Sequence, residues 1–212
     1  TARMESLRLA VGDDIDIALD VHATLVEPFR AEQLASAVEP YRPMFIEEPV
    51  RPEQVDSFAR LRERLRIPLA TGENLYGLAQ FAALIDGHGV DIVQPDVCSS
   101  GGLLEVKKIC AVAEANYVTV APHNPLGLLS TAVSVHLAVS TPNFVILEYH
   151  GKNEGAKSRF VDDAWKPVDG YMSLPERPGL GMELDVEAIK ASPPIDWNRG
   201  FPEYNDGSAG FI

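Results

Sequence analysis

Apolar residues recur along the chain with two alternating periods, one typical of buried strands and one typical of amphipathic helices. Six short apolar runs rich in strand formers occupy residues 15–22, 44–49, 68–74, 90–97, 118–125 and 144–150. Helical spacing predicts helices between them, over 28–41, 53–66, 74–89, 101–117 and 129–140. Because strands alternate with helices of similar length, the pattern predicts repeated βα units, an α/β fold and a parallel sheet.

The two ends of the chain depart from this repeat. The first residues are typical of the end of a helix closed by Gly12. Residues 151–212 are rich in Gly, Pro and aromatic residues, and only 185–191 has a helical pattern. We therefore assign 1–150 to the βα domain and 151–212 to a C-terminal segment that packs on it or on a neighbouring domain.

Composition narrows the class of function. The chain has 212 residues, a hydrophobic fraction of 46% and a formal net charge of -13. Such an acidic chain is a poor partner for nucleic acid or an anionic membrane surface, although a bound cation would still let it bind a small anionic substrate. Cys98 and Cys110 have no metal-type spacing, and neither a signal peptide nor an apolar run of about 18 residues is present. We expect a protein of the reducing cytoplasm.

A titratable residue follows each predicted strand. The six are Asp20, Glu47, Glu73, Asp96, His123 and Glu148. Their spacing of 23–27 residues is close to the roughly 30 residues of one βα unit in an eight-fold TIM-type barrel. Any one of them could be a solvated loop residue, but six at the same position favour a shared site at the carboxyl ends of the strands, where such barrels build their active sites.

Three carboxylates among the six predict a metal site. Asp20, Glu47 and Glu73 follow three consecutive strands, and their mutual repulsion needs a compensating cation. Ligands that are all oxygen favour Mg²⁺ or Mn²⁺ over zinc. The prediction requires these three side chains to lie close enough to share one ion.

Two histidines predict an acid and a base beside that site. His22 lies two residues after Asp20, so on an extended strand both side chains point to the same face, and we interpret His22 as a general acid. Asp96 follows the strand before the one that ends at His123, and a carboxylate beside an imidazole raises its basicity, so we interpret His123 as a general base. Alternatively His22 is a metal ligand or a surface residue, and His123 belongs to a helix N-terminal turn.

A metal ion, a base and an acid together favour one reaction. Removal of a proton α to a carboxylate is assisted by a cation on the carboxylate oxygens, and an acid then protonates a β-hydroxyl, which leaves as water. Glu148 would hydrogen-bond the carboxylate oxygen opposite the metal. His150 also follows this strand, but the sequence alone does not assign it a role.

Short motifs around these residues resemble the mandelate racemase subgroup of the enolase superfamily. The matching pieces are LDVH (19–22), FIEEP (45–49), TGEN (71–74), VQPDV (93–97), APHNP (121–125) and LEYH (147–150), with PGLGMELD (178–185) near the C-terminus. The resemblance implies that Asp20, Glu47 and Glu73 bind Mg²⁺, that Asp96 and His123 form a dyad and that Glu148 is the acid of the eighth strand. It also implies that Glu48 lies behind the ligands and that Asn74 and Asn124 line the site.

Within that subgroup the histidine of LDVH is similar to that of acid-sugar dehydratases of the galactonate dehydratase type. The resemblance therefore implies a lyase of carbohydrate metabolism that converts a sugar acid to a 2-keto-3-deoxy acid. It also implies a barrel truncated to about strands 3–8, with the N-terminal α+β capping domain absent, and we expect a homo-oligomer. The alternatives are a racemase or epimerase with the same metal site, a different oxygen-ligand barrel such as an aldolase, and a non-catalytic barrel fragment or binding subunit.

Overall fold

The sheet is parallel throughout, and its strands follow one another in chain order. The computed structural model describes residues 1–150, 158–161, 166–193 and 206. The strands are β1 (Ala18–Asp20), β2 (Phe45–Glu47), β3 (Leu69–Thr71), β4 (Ile92–Val93) and β5 (Thr119–Val120), in the order β1-β2-β3-β4-β5. Every neighbouring pair is parallel, which confirms the predicted α/β fold.

A helix follows each strand, as the periodicity predicts. The helices are α1 (Ala2–Val11), α2 (Pro28–Val38), α3 (Val55–Arg64), α4 (Gly77–Asp86), α5 (Leu103–Ala115), α6 (Leu128–Val139) and α7 (Val186–Ala191). A single 3-10 turn, Glu39–Tyr41, extends α2. Helix α1 ends at Gly12, whose φ of 74° lies in the left-handed region that glycine adopts readily. The predicted end of the first helix is therefore confirmed.

Alternation along the strands sorts their side chains into two apolar layers. One set packs against the helices, where Phe58, Phe81 and Ile109 are fully buried. The opposite set forms a separate small cluster of Phe45, Ala70, Ile92 and Ala121. This second cluster lies on the face of the sheet away from the helices, close to the carboxyl ends of the strands. It forms the floor of the site described below.

The prediction of a sixth strand over 144–150 is wrong. Only Phe144 forms a β-bridge, with Val120, and the Val145 N–H donates to the Val120 carbonyl at 2.9 Å. Proline at position 122 has no N–H with which to continue the ladder. The next contact is a longer bond of 3.4 Å from the Glu148 N–H to the Pro122 carbonyl. The segment nevertheless runs alongside β5 and carries Glu148 to the rim.

Part of the C-terminal segment contacts the βα domain. Met172, Leu180 and Met182 pack with Leu147 against the buried α6 residues Ala132 and Val135. The assignment of 151–212 as a separate segment remains a prediction, since much of it lies outside the described residues. Among the described residues, no helix has the length and apolar character needed to cross a membrane.

Candidate active site

On each of the five strands, the inward-facing residue that follows the apolar floor lies at the carboxyl end of the strand. Two residues beyond Ala18, Phe45, Ala70, Ile92 and Ala121 come, in the same order, Asp20, Glu47, Gly72, Gln94 and His123. A period of two returns the side chain to the same face, so these residues face the same side of the sheet as the apolar floor. The site is therefore polar because an apolar inward residue is followed by a polar inward residue on every strand except β3, where Gly72 takes this position.

Asp20 and Glu47 are direct neighbours on adjacent strands. They are paired in the register of β1 and β2. Burial raises the pKa of Asp20, while the nearby His22 opposes that rise. Burial also raises the pKa of Glu47 to about 7, against a hydrogen bond from Gln94 that favours the ionised form. Two partly desolvated carboxylates side by side hold protons more tightly than they would in water.

His22 reaches the site by a turn and not by the extended strand that we predicted. Its φ of 54° is left-handed, and its backbone N–H donates to Oδ1 of Asp20 at 2.7 Å. From this turn, Nδ1 of His22 lies 3.6 Å from Oδ2 of Asp20 and 3.4 Å from Oε1 of Glu73. The reasoning from strand alternation is therefore wrong for His22, although the side chain does stand beside both carboxylates.

Glu73 owes its position to the glycine that precedes it. Gly72 has a φ of 151°, and a Cβ there would lie 2.8 Å from the backbone C and N of Gln94. Because no side chain fits, the end of β3 lies directly on the end of β4 and Glu73 projects over the cavity. A hydrogen bond from His123 is the main cause that lowers the pKa of Glu73, so its carboxylate is ionised.

Asp96 and His123 form the predicted dyad. Nδ1 of His123 lies 2.8 Å from Oδ2 of Asp96, and the Cys98 N–H donates to Oδ1 of Asp96 at 2.6 Å. Burial alone would raise the pKa of Asp96, but the hydrogen bonds from His123 and Cys98 outweigh it and lower that pKa. On its other side, Nε2 of His123 lies 2.9 Å from Oε2 of Glu73.

These anionic partners determine the charge of His123. Burial alone would lower the pKa of this imidazole, but its hydrogen bonds to Asp96 and Glu73 raise the pKa to about 10. His123 is therefore an imidazolium at neutral pH in this arrangement. It becomes a base only when the negative charge around Nε2 is reduced, for example by a cation on Glu73.

Glu48 lies behind the site and not in it. It is fully buried, and its carboxylate accepts from Thr71 Oγ1 at 2.8 Å and from Asn74 Nδ2 at 2.7 Å. Asn74 also donates to Oε1 of Glu73 at 3.1 Å. Glu48 thus orients Asn74, which in turn orients Glu73, in agreement with the role that we expected.

Glu148 stands at the far wall, held on both carboxylate oxygens. Oε2 accepts from the backbone N–H of Asn124 at 2.7 Å, and Nε2 of His150 lies 2.7 Å from Oε1. Nε2 of His123 is 3.9 Å from Oε2 of Glu148. Glu148 therefore faces the dyad across a narrow gap.

One open cavity of about 910 Å³ is lined by Asp20, His22, Glu47, Glu73, Asn74, Gln94, His123, Glu148 and His150. The rest of its wall is apolar except for Asp16 and includes Met44, Phe45, Leu126 and Leu147. A neighbouring cavity of about 480 Å³ shares only Asn74 with it. A small polar molecule of sugar size fits the larger cavity, with titratable groups around it and an apolar floor beneath.

The carboxylate oxygens of Asp20, Glu47 and Glu73 are ligands that suit a hard cation. Their side chains, however, are not arranged around a single point. Among the residues that the structure describes, no group of three His, Cys, Asp or Glu side chains is arranged to hold a metal ion. Glu73 instead bonds to His123, while Asp20 and Glu47 share the cavity with it. The metal-ligand assignment of Asp20, Glu47 and Glu73 therefore remains a prediction, and binding would require Glu73 to turn from His123.

Two residues of the cavity have no role in our sequence analysis. Gln94 is buried, bonds to Glu47 and leaves its Oε1 without a hydrogen-bond partner. The signal that identifies it is its position two residues before Asp96 on the same strand. His150 is the second, and the only sequence signal for it is the same spacing of two from Glu148.

Comparisons with known proteins agree with this architecture. Residues 1–189 match the family model described as enolase C-terminal domain-like. The D-galactonate dehydratase of Ralstonia nicotianae is 36% identical over 98% of this chain and 56% of its own length. The D-galactonate dehydratase of Cronobacter sakazakii is 38% identical over 95% of this chain and 55% of its own length. The chain thus spans about half the length of these relatives.

Solved structures give the same result. An enolase from Agrobacterium radiobacter, described as a candidate galactarate dehydratase and bound to Na and L-malate, is 44% identical with a TM-score of 0.90, over 99% of this chain and 56% of its own. A mandelate racemase/muconate lactonizing enzyme from Jannaschia sp. is 33% identical with a TM-score of 0.85, over 92% and 50%. The structure of the chain is similar to that of mandelate racemase/muconate lactonizing enzymes. The chain therefore belongs to the enolase C-terminal domain-like family.

Proposed function

We propose that this chain carries the catalytic site of a Mg²⁺-dependent dehydratase of sugar acids. The observation that carries the proposal is the placement of two imidazoles on either side of Glu73 in one cavity. His22 lies 3.4 Å from Oε1 and His123 lies 2.9 Å from Oε2 of that carboxylate. Loss of water needs a base for the α-proton and an acid for the β-hydroxyl, and this pair would supply them.

His123 would remove the α-proton. Nε2 receives the proton from the carbon next to the substrate carboxylate, while Asp96 holds Nδ1 and stabilises the imidazolium that forms. His22 would then donate a proton to the β-hydroxyl as the C–O bond breaks, so that water leaves. The resulting enol tautomerises to a 2-keto-3-deoxy acid. Glu148 would hydrogen-bond a substrate carboxylate oxygen from the far wall, a role that needs a proton on Glu148 or in the hydrogen-bond network that it forms with His150.

Asp20, Glu47 and Glu73 are the residues that would hold Mg²⁺, with Mn²⁺ as the other candidate. When bound there, the cation would offset two of the three negative charges of these carboxylates and stabilise the negative charge that develops on the substrate carboxylate. The pKa values of Asp20 and Glu47, which burial raises, are consistent with this role, because a bound cation would favour the ionised form of both carboxylates.

The relatives named D-galactonate dehydratase support a sugar acid as the substrate class, and a six-carbon aldonate is the first compound to test. We propose a cytoplasmic enzyme that acts as a homo-oligomer on a small-molecule substrate. Its acidic composition argues against nucleic acid or a membrane as a partner.

Isotope exchange and product mass test the mechanism. The protein is incubated with Mg²⁺ and a panel of aldonates and aldarates in D₂O, and substrate deuteration and water loss are followed by NMR and mass spectrometry. His123→Asn should abolish both processes, whereas His22→Asn should slow water loss far more than α-proton exchange. Exchange that continues in His123→Asn would rule out His123 as the base.

The same experiment separates the alternatives. An epimerase exchanges the α-proton and changes the configuration of the substrate without losing water. A dehydratase releases water, so the mass of its product falls by about 18 Da. A non-catalytic barrel binds no Mg²⁺ in isothermal titration calorimetry and shows no exchange. The control is His88→Gln, because His88 is exposed in a glycine turn away from the cavity.

A further inference from the structure

His150 contacts the carboxylate of Glu148 at a distance similar to that in the Asp96–His123 pair, although through Nε2 and not Nδ1. Its Nε2 is 2.7 Å from Oε1 of Glu148, and both residues line the main cavity. The two residues are two positions apart on the segment that runs beside β5. The cavity thus contains a carboxylate–imidazole pair that lies across from His123.

The other oxygen of Glu148 is fixed by the protein frame. Oε2 accepts from the Asn124 N–H, and Asn124 Nδ2 donates to the Glu148 carbonyl at 3.0 Å. Asn124 is almost fully buried, and its amide also accepts from Ser130 Oγ at 2.9 Å and contacts Thr131 Oγ1 at 3.1 Å. These bonds anchor one oxygen at the N-terminal end of α6. The orientation of the carboxylate about that anchor then depends on what holds Oε1.

His150 is the side chain at Oε1 in the structure. The Glu148 side chain is 34% exposed, so without His150 water would compete for this oxygen and the carboxyl group would rotate more freely. With His150 in place, Oε2 stays 3.9 Å from Nε2 of His123. A substrate that enters between Glu148 and His123 would then meet a carboxyl group that is already oriented.

We propose that His150 is a positioning residue that holds Glu148 in its substrate-binding orientation. It acts through Glu148 and need not touch the reacting carbons. This inference rests on the proposed function, because it gives Glu148 a substrate to bind. It adds a residue to the site that neither the sequence pattern nor the comparisons assign.

Two substitutions at His150 test the inference in the Mg²⁺-supplemented enzyme. His150→Leu removes the polar contact, and the loss of a hydrogen bond to a charged group should reduce kcat/KM about 10- to 100-fold. His150→Gln keeps a nitrogen donor near the position of Nε2 and should recover most of that loss. Since His150 is 43% exposed, neither variant should impair folding, which circular dichroism checks.

A double-mutant cycle shows whether His150 acts through Glu148. If it does, Glu148→Gln combined with His150→Leu should be no slower than Glu148→Gln alone. Additive losses, or a kcat/KM in His150→Leu equal to that of the unsubstituted enzyme, would overturn the proposal. Equal failure of His150→Gln and His150→Leu would also count against a hydrogen-bonding role.

A spectroscopic readout separates this inference from the proposed function. In protein labelled with ¹⁵N-histidine, Glu148→Gln should shift the Nε2 resonance of His150, whether or not the enzyme turns over a sugar acid. If no sugar acid reacts with the unsubstituted protein, the dehydratase proposal fails. If the His150 resonance is unchanged in Glu148→Gln, the positioning proposal fails.

Discussion

Glu47→Gln should make the metal-free protein more stable at alkaline pH and leave its stability almost unchanged in acid. Burial raises the pKa of Glu47 from 4.5 to about 7, so the folded state resists ionising this carboxyl group. Gln has nearly the same shape and carries no charge. The substitution therefore removes the cost of a desolvated carboxylate that has Asp20 beside it.

The sign follows from proton linkage. Below pH 4.5 the carboxyl group is protonated in both the folded and the unfolded state, and no penalty exists. Between pH 4.5 and 7 the folded state binds more protons than the unfolded state, so the free energy of unfolding falls as pH rises. Above about pH 7 the full penalty applies. A change of this size corresponds to about 3 kcal/mol, and partial exposure of the side chain to solvent reduces the expected gain to about 1–3 kcal/mol.

Urea unfolding in EDTA measures this effect. The unsubstituted protein, Glu47→Gln and the control Glu63→Gln, which changes an exposed residue on α3, are compared at pH 5 and pH 8. Glu47→Gln should gain about 1–3 kcal/mol at pH 8 and less than about 1 kcal/mol at pH 5. Added Mg²⁺ should then stabilise the unsubstituted protein more than Glu47→Gln.

The result that would refute this reasoning is equally specific. If Glu47→Gln destabilises the metal-free protein at pH 8, the Glu47 carboxylate contributes favourable bonds that outweigh its burial. If the two pH values give the same difference in unfolding free energy, Glu47 does not titrate between them. Either outcome would also remove the argument that this carboxylate lacks a compensating cation.

Three further predictions concern the frame of the site. Gly72→Ala should cost about 2–4 kcal/mol of unfolding free energy, because a Cβ would lie 2.8 Å from the Gln94 backbone, whereas Gly127→Ala, with nothing within 4 Å, should be nearly neutral. Phe58→Ala should cost about 3–5 kcal/mol because Phe58 is fully buried, as chemical denaturation would show. Asp96→Asn should lower the pKa of His123 by removing one of its anionic partners, a change that NMR titration of the His123 ring measures; an unchanged His123 pKa would contradict the dyad.

The titratable residue at each strand end was sufficient to predict most of the residues that the structure brings to the cavity. Asp20, Glu47 and His123 lie where a period of two places them above the apolar floor, because parallel strands that carry helices have one inward face. The same rule, applied two residues before Asp96, would have identified Gln94. Their spacing of one βα unit was enough to predict that these residues share one rim, although it did not predict their contacts.

Backbone conformation is what the sequence pattern could not predict. His22 and Glu48 have positive φ values of 54° and 36°, which a reading by alternation does not anticipate for residues that follow a strand. The segment 144–150 has the composition of a strand, yet Pro122 on its partner has no N–H with which to continue the ladder. In both cases a neighbouring element decides the local geometry, so information from the segment itself is insufficient.

The charges of the site explain why its carboxylates are not gathered around one point. Burial and neighbouring carboxylates raise the pKa of Glu47, while Asp96 and Glu73 raise the pKa of His123 to about 10. Protons on these two groups therefore offset charge that the carboxylates would otherwise leave unbalanced.

A divalent cation would compete with those protons, since it needs ionised ligands and would draw Glu73 away from the imidazolium of His123. Because Glu73 contacts both imidazoles, one movement of its carboxylate would change the charge around His22 and His123 together. Metal binding and the acid–base state of the site would thus be one coupled equilibrium, centred on the residue that Gly72 allows to project over the cavity.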